Sequence, residues 1–375
     1  MPTPVIREDW IKREELVTLS LRQLYERFGY KKYKMSSFEA YDLYLDNKTF
    51  LRDKNIITFN DASGQVLALK PDVTLSIAKN TRATADSTEK LYYLEDIYRF
   101  DKHSRAYRQI NQLGLECFGR LDAYLTCEVL RLAAFTLREI GENWVMTLSH
   151  TGFVLKFLED LGIPTAAKGE LTECIRQKNA HGLRAQAAAY QITPAAADML
   201  VGIIGLSGSF SATLEKARAL AITRHMTEAL DQLEGIYALM EKAGFGDRMR
   251  LDFSLINDVD YYSGIVFQGF VEDVPRAVLA GGYYGGLMRK FGRELDAIGF
   301  AVYLNELTHR LPAKQKCDVD ALALYGDSED YEDLIRATES LMAKGLRVRV
   351  ERTIPAELVY DKLYSYADGA LREVD

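Results

Sequence analysis

Residues 98–119 read YRFDKHSRAYRQINQLGLECFG, two extended stretches around a basic turn, and the second stretch carries Gln112, Gly114 and Glu116 at alternate positions. Successive side chains of a strand point to opposite faces, so these three share one face and Leu113, Leu115 and Cys117 share the other. A chain with this segment is committed to a sheet that is apolar behind and polar in front. The glycine lets a small molecule approach the backbone, and the carboxylate and amide beside it suit a cationic or imidazole-bearing ligand.

The chain has 375 residues, 48% of them apolar, enough for one large core and one smaller one, so two domains are expected. No stretch approaches the ~20 apolar residues of a membrane span, and the first residues, MPTPVIREDWIKREEL, are too charged for a secretory signal. A cytoplasmic location is expected. The four cysteines, Cys117, Cys127, Cys174 and Cys317, show no metal-ligand or redox spacing and are read as reduced thiols. A net charge of −7 gives no overall attraction to a polyanion. Basic runs at Lys31-Lys32 and over 99–108 oppose that average, and for the two lysines a solvated loop is the leading reading.

Periodicity predicts an amphipathic helix over 7–28 stopped by Gly29, a strand region over 30–38, and a hairpin joining 57–59 to 66–69 through the turn Asp61-Ala-Ser-Gly64. A helix follows Asp72 and runs to about Arg82, with Asp72 as its cap. Residues 123–140 read as a buried helix closed by Gly141, and 144–148 as a strand. A helical insertion covers about 151–245, strand readings return over 259–271 and 277–282, and 297–307 reads as a strand passing into a helix. Beyond Pro312 a β-α-β pattern over 320–350 predicts a small α/β module, with room for about one further helix after Thr353. The expected division is a core of 1–312 and a module of 313–375. No phosphate loop, HExxH signature or fixed-period repeat occurs.

Four separated segments, spread over most of residues 1–310, resemble the class II aminoacyl-tRNA synthetases, and most closely histidyl-tRNA synthetase. The stretch 98–119 resembles their motif 2, with Arg99 at its arginine and Gln112 and Glu116 at positions that hold histidine. Lys70-Pro71-Asp72-Val73-Thr74 resembles the Arg-Pro-Glu-Gly-Thr stretch, which puts Asp72 at the ligand's ammonium and Thr74 beside it. Val259-Asp260-Tyr261-Tyr262 resembles a Leu-Asp-Tyr-Tyr core, placing Tyr262 at the imidazole, and the run 281–287 resembles Gly-Gly-Arg-Tyr-Asp-Gly-Leu with Tyr284 retained. The resemblance implies an α+β fold, a class II antiparallel sheet flanked by helices, with a truncated anticodon-binding-like module.

Each residue also has a structural reading. Asp72 serves as a helix cap, worth ~1 kcal/mol; Glu116 is a buried partner of Arg99 or Arg108; Gln112 satisfies a strand end; Tyr262 is a sheet aromatic; and Gly282 and Gly285 are turn residues. The ligand reading accounts for several positions at once, in matching order.

The departures from a synthetase concern ATP. Asn257 stands where the family has a catalytic arginine, and Glu306 where motif 3 has an ATP-contacting one. A reversed charge about 4 Å away changes the interaction by several kcal/mol, at ~4 kcal/mol per pair for an effective dielectric near 20. Tyr283 replaces another arginine, Tyr303 replaces a glycine, and Met35-Ser-Ser-Phe38 lacks the proline of motif 1. This combination resembles the regulatory subunits of ATP phosphoribosyltransferase. The resemblance implies no catalytic residue, cofactor or metal, a short-form catalytic subunit as partner, histidine as ligand, a homodimer core, and no role in tRNA charging.

Overall fold

The computed structural model describes residues 11, 13–51, 55–101, 104–256, 263–307, 317–326, 331–367 and 370–374. Two compact units divide the chain, Val17–Arg310 and a smaller one comprising Leu311–Asp375 with Met1–Leu16.

The larger unit is built on the strand pair that contains residues 98–119. Strands β5 (Glu89–Asp101) and β6 (Ala106–Gly119) form one long antiparallel hairpin, paired from Glu89 opposite Phe118 to Asp101 opposite Ala106. Seven further strands extend it. They are β1 (Lys31–Lys32), β7 (Trp144–His150), β8 (Ser207–Ser209), β9 (Met249–Asp252), β10 (Ile265–Val271), β11 (Leu279–Tyr283) and β12 (Asp296–Tyr303), in the order β1-β5-β6-β12-β11-β10-β7-β9-β8. All neighbours are antiparallel except β1 with β5 and β7 with β9.

Helices α1 (Arg13–Arg27) and α4 (Ala123–Ile140) cover the back of the sheet, where Leu113, Leu115 and Cys117 are fully buried. Tyr25 of α1 packs its ring near Tyr92 and Phe300 and shares a 2.9 Å hydrogen bond with Thr136 of α4. Asp122 caps α4 by accepting the Leu125 N–H at 2.8 Å, and Gly141 follows its last residue. The front face carries Leu91, Tyr93, Ile97, Phe118 and Val266 in a second core, closed by α2 (Tyr41–Asp46), α3 (Thr74–Asn80), α11 (Gly285–Lys290) and a small sheet. That sheet has the order β2 (Phe38–Ala40), β4 (Val66–Leu69), β3 (Thr58–Asn60). Its turn is the Asp61 loop, whose carboxylate accepts the Ser63 and Gln65 N–H groups. Residues 151–242 supply α5 (Thr151–Asp160), α6 (Thr165–Arg176), α7 (Ala180–Ala189), α8 (Pro194–Ile204), α9 (Phe210–Leu220) and α10 (Arg224–Lys242).

In the smaller unit the order is β14 (Val348–Glu351), β13 (Val319–Leu324), β15 (Tyr360–Ala367), β16 (Ala370–Val374), with α12 (Tyr331–Ala343) beside it. Among the described residues no further helix follows Thr353; the chain makes an antiparallel hairpin instead. Tyr364 and Tyr366 are buried and Ser365 is exposed, the two-residue alternation of a strand rather than a helical stripe.

Candidate functional site

The chain leaves β4 through Lys70 and Pro71 and turns into α3, a short path that delivers Asp72 and Thr74 to the front of β6. Asp72 does two things there. One carboxylate oxygen accepts the Leu75 N–H at 2.9 Å, as a helix cap does, and the other lies 3.6 Å from Arg99 Nη2. Arg99 Nε also donates to the Pro71 carbonyl at 3.0 Å, so the arginine braces the turn. Lys70, only 2% exposed, is held by the carboxylate of Glu95.

Glu116 is the centre of the arrangement. It is 3% exposed, its Oε1 accepts the Thr74 hydroxyl at 2.7 Å, and its Oε2 accepts the Tyr284 hydroxyl. It is not the ion-pair partner of an arginine: Arg99 is turned to Asp72, and Arg108 Nε lies 2.8 Å from Asp101. Asp72, Thr74, Arg99, Gln112, Glu116 and Tyr284 line one cavity. Tyr262 and Asn257 lie outside the described residues.

Among the lining residues that escape a reading by motif are Tyr93, Phe50 and Gly299. Tyr93 lies directly across the β5–β6 ladder from Gly114, and a Cβ on Gly114 would fall 2.0 Å from its ring carbon Cζ. The glycine therefore makes room for the tyrosine, not for direct approach of a ligand to the backbone. Gly299 pairs with Glu116, and a Cβ there would stand 1.9 Å from Oε2. The signal in the sequence is cross-strand: each glycine faces a large pocket residue on the neighbouring strand, and only the register reveals it. Gly282 sits inside β11, opposite Gly299 and Val266, rather than in a turn, while Gly285 opens α11.

The cavity measures about 40 Å³, room for a few waters at ~10–15 Å³ each. That is too little for an amino acid, so lining side chains have to move to admit one; Asp72 and Arg99 are a charged pair of the lining that is still partly exposed. Burial pushes the Glu116 carboxyl from its ordinary 4.5 up to about 8, against the pull of the Tyr284 and Thr74 hydroxyls and with a smaller push from Asp72. Near neutral pH this group is mostly protonated, and it can either donate to a ring nitrogen or give up its proton to accept an N–H. Burial likewise raises the Tyr93 phenol.

Of the residues that depart from the family pattern, Tyr303, in place of a glycine, lines the cavity, and Tyr283, in place of an arginine, is held beside Asp296, its phenol raised by burial and that carboxylate. Glu306 differs from the simple expectation of repulsion. It lies in the turn Leu304–Leu307, outside the cavity lining, with Oε1 3.8 Å from Arg276 Nη1, so its charge is partly offset. Among the described residues no group of His, Cys, Asp and Glu could hold a metal, and no helix is long and apolar enough to cross a membrane.

The histidyl-tRNA synthetase family model matches residues 6–307. The ATP phosphoribosyltransferase regulatory subunit of Oceanobacillus iheyensis is 28% identical over 351 residues, covering 92% of this chain and 85% of that protein. A crystal structure described as an ATP phosphoribosyltransferase regulatory subunit/histidyl-tRNA synthetase from Bacillus halodurans C superposes with a TM-score of 0.80 at 23% identity, covering 97% and 99% of the two chains. A chain of the ATP phosphoribosyl transferase (HisG:HisZ) complex from Thermotoga maritima shares the fold with a TM-score of 0.61 at 18% identity, covering 78% of this chain and 97% of that one. With four-fifths of its length matched and the class II sheet in place, the chain belongs to the histidyl-tRNA synthetase family.

Proposed function

We propose that this chain is the regulatory subunit of ATP phosphoribosyltransferase, the first step of histidine biosynthesis, without catalysis of its own. It activates a short catalytic subunit and takes part in feedback control by histidine. The observation that carries the reading is a pocket keeping its amino-acid half, with Thr74 and Tyr284 on Glu116 and Asp72 at the mouth, while the nucleotide half lacks its arginines. Support comes from relatives named as such regulatory subunits over most of their length. In this reading Asp72 meets the ammonium of histidine, Arg99 its carboxylate, and Glu116 with Gln112, Tyr262 and Tyr284 the imidazole. The core pairs as a homodimer in the cytoplasm, and tRNA is not a substrate.

The test mixes the purified chain with a short catalytic subunit and follows phosphoribosyl transfer to ATP with and without histidine. The expected result is a gain in rate that histidine suppresses. A chain that fails to raise the rate, and instead exchanges pyrophosphate into ATP when given histidine, is a synthetase.

A further inference from the structure

We infer that the cleft at the back of the large sheet, between the start of α4, the middle of α10 and the strand ends at Gly264 and Tyr283, binds a small organic cation, an ammonium carried on an apolar body. The cleft has a volume of about 690 Å³, within the ~300–1,000 Å³ of small-molecule sites, and shares no residue with the pocket on Glu116. It lies across the sheet from that pocket. Tyr283 and Tyr284 are consecutive, yet Tyr284 reaches Glu116 in front while Tyr283 lines the cleft behind.

The buried part of the lining is mostly apolar. Ile236, Gly264 and Ile265 belong to it, and Thr126 spends its hydroxyl on the Asp122 carbonyl at 2.9 Å. His150 adds a neutral ring. Its Nδ1 accepts the Gly152 N–H at 3.2 Å, which leaves the proton on Nε2, 3.1 Å from Gln232 Oε1, and burial keeps the ring below its usual value. Gly235 lines the cleft from the interior of the 19-residue α10, where a glycine weakens a helix relative to alanine. Packing does not require it, since no described atom lies within 4 Å of the place a Cβ would take; a Cβ on Gly269 of β10, by contrast, would meet Leu137 at 2.5 Å. A guest lying along α10 gives the missing side chain a reason.

The charge of the lining selects the guest. Its carboxylates are Asp122 and Asp231, and among the described residues no lysine or arginine lines it. The six residues that lead into Ser263 read Asn-Asp-Val-Asp-Tyr-Tyr and add no cation. Arg218 lies 2.8 Å from Asp231 and offsets that charge. Asp122 accepts the Leu125 N–H through Oδ1, which occupies the positive end of α4, and Oδ2 is the atom assigned to the ammonium. Tyr283 brings an aromatic face where the family has an arginine. Its ring packs over Gly264, where a Cβ would stand 3.3 Å from Cδ1, and burial with Asp296 keeps the phenol protonated. An aromatic face beside a carboxylate suits an organic ammonium, whereas an anion is repelled by both aspartates.

The experiment is calorimetric titration of the full chain with tryptamine, hexylamine and the anion indole-3-propionate, for wild type and for the variants Gly235→Leu and Asp122→Asn. Both amines are expected to bind wild type and to weaken as salt rises, with indole-3-propionate at least tenfold weaker than tryptamine. Gly235→Leu puts a side chain into the cleft. It should lose at least tenfold in amine affinity, with a thermal melt no lower than that of wild type because leucine favours the helix. Asp122→Asn keeps a capping oxygen without the charge and should lose about fivefold. Wild type that binds neither amine overturns the inference, as does equal binding of indole-3-propionate or unchanged amine affinity in Gly235→Leu. So does a cleft that serves a protein instead, seen when Gly235→Leu abolishes association with the short catalytic subunit and neither amine binds wild type.

Discussion

Glu116 is a carboxyl whose proton the fold holds, and that has a thermodynamic consequence. Its unfolded value is the ordinary 4.5 and its folded value about 8, so between these the native state binds more protons than the unfolded chain. Stability is therefore full at low pH on this account, falls as pH rises from about 5 to 8, and levels off above. At ~1.4 kcal/mol per pH unit the loss is on the order of a few kcal/mol. Urea unfolding across that range should show the decline in wild type, and Glu116→Gln should remove it, since the amide keeps an acceptor for Tyr284 and carries no charge. An unchanged slope in the variant would mean that Glu116 ionises freely. A second residue-scale prediction concerns Gly114→Ala, which forces a methyl into the Tyr93 ring and should destabilise by ~1–3 kcal/mol in the same assay. The polar row of β6 was readable from two-residue alternation alone. The reason for its glycine was not, because alternation within one strand says nothing about which side chain stands opposite.

At the scale of elements, legibility followed how much of the signal was local. Helix α4 occupies the residues its apolar period and closing Gly141 indicate, with Asp122 as its N-cap, and the β3–β4 hairpin forms around the expected Asp61 turn. Asp122→Ala should therefore cost ~1 kcal/mol, read as a lower urea midpoint with an unchanged slope. Helix α3 ends at Asn80 rather than near Arg82 because the chain turns out at Thr81, whose hydroxyl engages Glu89 of β5. The β15–β16 hairpin was missed for a similar reason. Its apolar residues are few, with Asp361 and Lys362 before Leu363 and Ser365 between Tyr364 and Tyr366, and the burial of those tyrosines against the rest of the small sheet is a tertiary fact that a window of sequence does not contain.

For the whole molecule the question is which ligand the native state prefers, and preference for a state is measurable as stability. A ligand that binds only the folded chain adds RT ln(1 + [L]/Kd), ~2.7 kcal/mol at a hundredfold excess over Kd. In the proposed reading the residues assigned to the amino acid, Asp72, Thr74, Arg99, Gln112, Glu116 and Tyr284, line one cavity, and Tyr303 lines it too. Histidine should thus raise the melting temperature by several degrees, and ATP with magnesium should not. The gain should vanish in Thr74→Val, which loses the hydroxyl on Glu116, and shrink in Arg99→Ala, which loses a cation at the mouth. The cavity is small when empty, so under the proposed reading histidine should enter by displacing lining side chains, the Asp72–Arg99 pair among them. The pair then exchanges its own charges for those of the ligand, so raised salt should weaken histidine binding only slightly. Stabilisation by ATP with magnesium in the absence of histidine would reverse the assignment, because it would require a nucleotide site that the missing arginines argue against.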